Sequence, residues 1–281
     1  MGTDILETVA KTIENKLTSQ KNVVLAICGG SCTRKSSLVT AFLSYRFKGQ
    51  CVAISQDQFQ WQPTYLTNVD PTYKWDHPDN FSIEQCYSAL SELRQNKTVK
   101  IPDYQFKKQQ EVGYKTITPK PIIILEGLYA NFNTLDELND ISVYVESPWY
   151  ARMIRRIFRN TLDRYKGKEH EPILNAFCNS VTTAHRHFVI HQKKKSDYTL
   201  QVPLAFHQIM ERYDLKPVEF NPANPSLELT LFYSKNLSIV LSVDNDTQSR
   251  FVLFYNEKPY LNFKISDTLA KQLKRMDWLA Y

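Results

Sequence analysis

No run of about 18 apolar residues occurs in the 281-residue sequence, so no membrane-spanning helix is expected. The opening MGTDILETVAKTIENK is amphipathic and carries acids, without the apolar core of a signal peptide, and a cytoplasmic location is expected. Cysteine is sparse: five residues, odd in number and scattered, with no CxxC pair. They read as small buried thiols in a reducing cytosol. Internal repeats and low-complexity tracts are absent. His187 and His191 are four apart, a spacing that could hold zinc, but no third ligand is evident nearby, so they read as helix surface or core. The basic excess is only +6 and is dispersed. It suits anionic substrates; with no module that stacks bases on a sheet, nucleic acid is not an expected partner.

What is present is an alternation of patterns. Residues 4–18 place Ile5, Val9, Ile13 and Leu17 on one helical face. NVVLAI (22–27) is a β-branched apolar run ending in glycines, the pattern of a buried parallel strand. KSSLVTAFLSYRF then has helical periodicity. CVAIS (51–55), PIIILEG (121–127) and ISVYVES (141–147) are further strands, with a short helix-like stretch between the last two and a long one over 148–165. This order implies an α/β fold, a parallel sheet flanked by helices with ligands beyond the strands' carboxyl ends. From about residue 202 the texture changes. LELTLFYS, LSIVLSV, RFVLFYNE and YLNFKIS read as an antiparallel meander closed by a helix over 267–276, and KPVEFNPANPS reads as the linker before it.

Strand, glycine turn and helix frame AICGGSCTRKSSLV (26–39), close to the phosphate-loop pattern GxxxxGK[ST]. Consecutive backbone N–H groups opening a helix bind phosphate through their nest and the helix's positive end. The expected nucleotide-binding residues are therefore Gly29, Gly30, Ser31, Cys32, Thr33, Arg34, Lys35, Ser36 and Ser37. Lys35 would reach the β- and γ-phosphates and the Ser36 hydroxyl would ligate Mg²⁺, so ATP and Mg²⁺ are the implied cofactors. Arg34 stands where the second glycine belongs. It adds a cation, and costs about 1 kcal/mol if its φ is positive.

Five further stretches, SQDQFQ (55–60), KWDHPDNFS (74–82), IPDYQF (101–106), IILEGLYA (123–130) and RRIFRNTLDR (155–164), occur in the order seen in uridine kinases. From about residue 20 to 203 the chain resembles the nucleoside-kinase group that includes uridine kinase, phosphoribulokinase and nicotinamide riboside kinase. The resemblance implies a P-loop NTPase-type kinase domain over 1–203 with an arginine lid near 155–170, and the change in texture beyond it makes 204–226 a linker and 227–281 a β-rich extension. It makes Asp57 the general base for a sugar 5′-hydroxyl and Asp76 the carboxylate that grips the ribose hydroxyls. Asp79 is the better cap for the helix that follows. Tyr104 would belong to the nucleoside pocket, and Glu126 would lie near Mg²⁺ or its waters. Arg155, Arg156, Arg159 and Arg164 resemble the lid; Arg155 would bind substrate, while Arg159 and Arg164 would join Lys35 and Asp57 in catalysis.

Departures from the family pattern gather around the same site. Asn160 replaces a lid aspartate, Tyr165 and Lys166 stand where Gly-Arg is expected, and Gln109 occupies the place of a histidine that helps read the pyrimidine. The expected activity is transfer of the ATP γ-phosphate to the 5′-hydroxyl of a ribonucleoside, uridine or cytidine first. Two alternatives stay open: a kinase for another ribosyl or small hydroxyl substrate, and a nucleotide-binding, catalytically impaired adaptor. Lys193–Lys195 read as lysines solvating a helix end. The oligomeric state is open, a homo-oligomer included, and the extension is where a protein partner would bind.

Overall fold

Seven residues, VVLAICG, all buried, make the central strand β1 (Val23–Gly29). The computed structural model describes residues 2–61, 76–165, 167, 169–220, 229–234, 236–243 and 248–276. Further strands are β2 (Cys51–Ser55), β3 (Val99–Gln105), β4 (Gln110–Ile117), β5 (Ile122–Glu126), β6 (Ile141–Glu146) and β7 (Tyr198–Gln201). Five of them form a parallel sheet in the order β2-β5-β1-β6-β7, while β3 and β4 pair as a separate antiparallel hairpin.

The sheet is apolar on both faces because helices cover both. Val23, Leu25 and Ile27 share a core with Leu6, Val9 and Ile13 of the helix Gly2–Leu17. On the other face Val24, Ala26 and Cys28 share one with Leu90 and Leu93 of the helix Ile83–Arg94. Each fully buried Leu, Ile or Val contributes about 1.5–3 kcal/mol. That helix is capped by Ser82, whose hydroxyl accepts from the Gln85 N–H at 3.4 Å. The expected cap, Asp79, instead lies in a preceding 3₁₀ turn, Pro78–Asn80, too early to reach the first free amides.

The chain divides into two compact units, Met1–Pro148 with Ser180–Pro203, and Trp149–Asn179 with Leu204–Tyr281. The first holds everything described so far. The second holds an antiparallel meander, β8 (Leu229–Tyr233), β9 (Leu237–Val243), β10 (Ser249–Tyr255) and β11 (Lys258–Lys264), in the order β11-β10-β9-β8, followed by the helix Asp267–Arg275. The helix Trp149–Phe158, continued by wider π-helical turns over Arg159–Arg164, belongs to this second unit. Tyr150 stacks on Phe232 at 3.9 Å, Phe158 meets Phe206 at 6.1 Å, and Arg212 pairs with Asp163 at 3.2 Å. The arginine-bearing helix and the β-rich extension thus share one core. The segment 204–226, read from sequence as a linker, contains the helix Phe206–Tyr213, which forms because Phe206 and Ile209 find apolar surface to bury. Its residues 221–226 lie outside the described residues, as do Lys166 and residues 74 and 75 of the KWDHPDNFS stretch. Among the described residues no helix is long and apolar enough to cross a membrane.

Candidate active site

The parallel register brings three strand ends to one level. Glu126 of β5 is paired with Ile27 of β1 on one side and Ser55 of β2 on the other. The chain leaves β1 into the glycine loop and leaves β2 into a 3₁₀ turn, Gln56–Phe59, that carries Asp57. The loop and Asp57 therefore flank Glu126, at the edge where the α/β pattern places ligands.

Gly29 cannot be any other residue: its φ is +136°, and a Cβ there would fall 2.3 Å from the Val145 carbonyl oxygen. Two side-chain-bearing residues of the loop also adopt left-handed backbone, Cys32 at φ +63° and Arg34 at φ +76°. Arg34 thus meets the condition under which the missing glycine costs energy. It immediately precedes the π-helical turns Lys35–Thr40, which lead into the helix Ala41–Arg46. Thr33 closes the loop from within, its hydroxyl donating to the Gly30 carbonyl at 2.9 Å.

Lys35 is only 8 % exposed, and its ammonium donates to the carbonyls of Gly29 at 2.9 Å and Gly30 at 3.0 Å. Burial draws its pKa down, opposed by the carboxylates of Glu126 and Asp57. Glu126, itself buried, is shifted the other way: burial first, then the Asp57 charge, push its pKa up, while Lys35 and hydrogen bonds with Ser36 and Ser55 oppose the shift. Lys35, Asp57, Glu126 and Ser36 form one electrostatic cluster. Cys28 lies beneath the loop, its thiol pushed up to about 11 by burial.

Asp76 also adopts left-handed backbone, φ +66°, and its carbonyl accepts from the buried Tyr129 hydroxyl. Tyr104 is buried in β3; its N–H donates to the Gln58 Oε1 at 3.2 Å and its ring meets Phe106 edge-on. Gln109 sits in the turn between β3 and β4 with φ +53°, its N–H donating to the Phe106 carbonyl at 3.2 Å. The residue expected in the place of a base-reading histidine is here the left-handed residue of a tight hairpin turn.

Arg155, Arg159 and Arg164 lie in the second unit, with Arg155 and Arg159 one helical turn apart. Asn160 keeps part of what an aspartate would do, because its side-chain oxygen accepts from the Arg159 Nε at 3.2 Å. His187 and His191 are exposed, and no group of three metal-ligating side chains occurs among the described residues. Lys193 is bound by both oxygens of Glu146, at 2.9 and 2.7 Å, and Lys195 pairs with Asp136 at 2.9 Å, so two of these lysines are fastened rather than simply solvated.

Sequence reasoning passed over Gln56 and Tyr129, both wholly buried. Gln56 Oε1 accepts from the Tyr129 N–H at 2.8 Å, and Gly127 leaves the room: a Cβ there would fall 2.5 Å from the Gln56 Cβ. The one available signal was a glutamine following directly on an apolar strand. Gln192 was missed likewise; it braces the stretch after β5, accepting from the Asn131 N–H at 3.0 Å and donating to the Leu128 carbonyl at 2.8 Å.

Residues 24–205 match the model of the Phosphoribulokinase / Uridine kinase family. The chain is 31% identical to the uridine kinase of Staphylococcus epidermidis over 184 residues, 63% of this chain and 86% of that protein. It is 33% identical over 182 residues to the uridine kinase of Macrococcus caseolyticus, with the same coverage of 63% and 86%. Phosphoribulokinase from Rhodobacter spheroides shares the fold, with a TM-score of 0.51 at 15% identity over 81% of each chain. With the strand order, the phosphate loop and the acids beside it, these matches establish that the chain belongs to the Phosphoribulokinase / Uridine kinase family of P-loop kinases.

Proposed function

We propose that the chain is an ATP-dependent kinase that phosphorylates the 5′-hydroxyl of a ribonucleoside, uridine or cytidine first. The observation that carries this reading is the cluster at the sheet edge, a buried ammonium, two carboxylates and a serine hydroxyl placed by three neighbouring strands. These residues suit a magnesium nucleotide. Ser36 with Glu126 offers the sparse oxygen donors with which Mg²⁺ is satisfied, since it retains several waters. Bound Mg·ATP supplies the transferable phosphoryl group.

The chain's own residues do the rest. Lys35 provides positive charge that Asp57 and Glu126 help to keep protonated despite burial. Asp57 accepts the proton of the attacking hydroxyl, a contribution of about 10²–10⁴ in rate. Asp76 accepts hydrogen bonds from vicinal ribose hydroxyls, which favours ribose over sugars lacking that pair. Arg155, Arg159 and Arg164 are assigned to phosphate neutralisation by the family pattern.

ADP release measured across a panel of nucleosides and small alcohols tests the proposal. Uridine or cytidine turnover that disappears in Asp57→Asn, with ATP binding retained, supports it. ATP binding with no turnover of any acceptor would instead support the adaptor reading, and turnover of a non-nucleoside alcohol the other kinase reading.

A further inference from the structure

We infer that Tyr129 is a positioning residue for the acceptor, acting through the backbone of Asp76. The inference rests on the reading of Asp76 as the ribose-gripping carboxylate. Asp76 holds a φ of +66°, a conformation that costs a non-glycine residue about 1 kcal/mol or more and persists only where its surroundings impose it. The Tyr129 hydroxyl donates to the carbonyl of that residue. The donor is itself fixed. Its ring is wholly buried, edge-on to Phe81 at 5.7 Å and tilted against Phe132 at 5.2 Å, and its N–H is bound by Gln56 Oε1.

Gln56 directly precedes Asp57, so one chain of contacts with a buried middle, Asp57–Gln56···Tyr129···Asp76, spans the acceptor side of the site. The phenol stays a donor across the working pH range, because burial and the neighbouring Asp76 and Asp79 charges push its pKa upward. Only the hydroxyl is specific to this task. A phenylalanine would keep the packing and lose the tie.

Steady-state kinetics of Tyr129→Phe, Asp76→Asn and the double variant test the inference. In Tyr129→Phe the acceptor KM should rise about three- to tenfold, the worth of one hydrogen bond, while kcat at saturating acceptor and the KM for ATP stay within about twofold. The double variant should be no more than about twofold worse than Asp76→Asn, since the tie acts only through the carboxylate that Asp76→Asn has already removed. An unchanged acceptor KM in Tyr129→Phe, when Asp76→Asn raises it, overturns the inference alone. Effects that multiply in the double variant, or a parallel loss of kcat and ATP affinity, also overturn it, because they mark general damage. Absence of nucleoside turnover in the native protein, or an Asp76→Asn variant with unaltered acceptor KM, overturns the reading of Asp76 and this inference with it.

Discussion

The two units solve the burial problem differently. In the first, aliphatic strands covered on both faces hold a few charged groups at one edge, where Lys35 and Glu126 are shifted from their ordinary ionisation by burial and by each other. In the second, aromatic pairs are set around an aliphatic core that includes Ile239, Leu241 and Leu253: Tyr150 on Phe232, Phe158 on Phe206, and His170 stacked on Phe263 at 5.0 Å. The first unit stores its free energy in packing and places costly electrostatics at one site. The second joins the arginine-bearing helix to a sheet that lies far along the chain, so the extension is part of that helix's own core rather than a free arm.

The sharpest separation of the units comes from chemistry. Asp57→Asn should lower kcat by about 10²–10⁴ with no change in melting temperature beyond a few degrees, measured by ADP release and calorimetry. A smaller kinetic loss would remove Asp57 from the base role. Next is the packing of the second unit. Phe251, wholly buried in β10, should cost about 3–5 kcal/mol as Phe251→Ala in denaturant unfolding. ATP binding by calorimetry should persist, because the loop belongs to the other unit. Loss of binding in a folded variant would show that the second unit shapes the nucleotide site.

Arg34→Gly is a finer probe. Removing the side chain from a φ of +76° relieves about 1 kcal/mol or more of strain, partly offset by glycine's larger entropy loss, so a small net stabilisation is expected in denaturant unfolding. ATP affinity within threefold of native would make Arg34 a tolerated replacement. A drop of tenfold or more would make its cation a phosphate ligand.

Thiol labelling gives a graded readout of the same contrast. Burial pushes Cys86 and Cys178 up to about 12 and Cys28 to about 11, so these three should react only on unfolding, while Cys32 and Cys51 label in the native protein. Mg·ATP should protect Cys32 and leave Cys51 unchanged, as mass spectrometry of labelled peptides would report.

The smallest effect is a pH dependence confined to the second unit. Burial lowers the His170 pKa below 6.5, so the folded state binds fewer protons than the unfolded chain between that lowered value and 6.5. Its contribution is complete above pH 6.5 and falls as pH drops through that window. A His170→Phe variant, which keeps the stack on Phe263, should show a flatter stability profile between pH 7 and 5.

Much of this was legible in the residues. VVLAICG, CVAIS and PIIILEG declare buried parallel strands because each is an unbroken apolar run, and the glycine loop follows the first of them. The four strands of the meander and its closing helix were readable from alternation and turn residues. The hairpin β3–β4 was not, because Pro102 and Asp103 interrupt the strand pattern and the pairing shifts register between Pro102 and Tyr104. The helix Phe206–Tyr213 was hidden in a stretch read as a linker, since eight residues show little periodicity until a partner surface exists.

The sequence by itself determined the order of most strands, the phosphate-loop pattern and the family, because apolar period and loop composition act over a few neighbouring residues. Only the tertiary structure decided that Arg34 bears a left-handed backbone, that Gln56 and Tyr129 tie Asp57 to Asp76, and that the arginine helix packs with the C-terminal sheet. The last two are contacts between residues tens of positions apart. Local propensity carries no record of them, and they exist only once the two cores have closed.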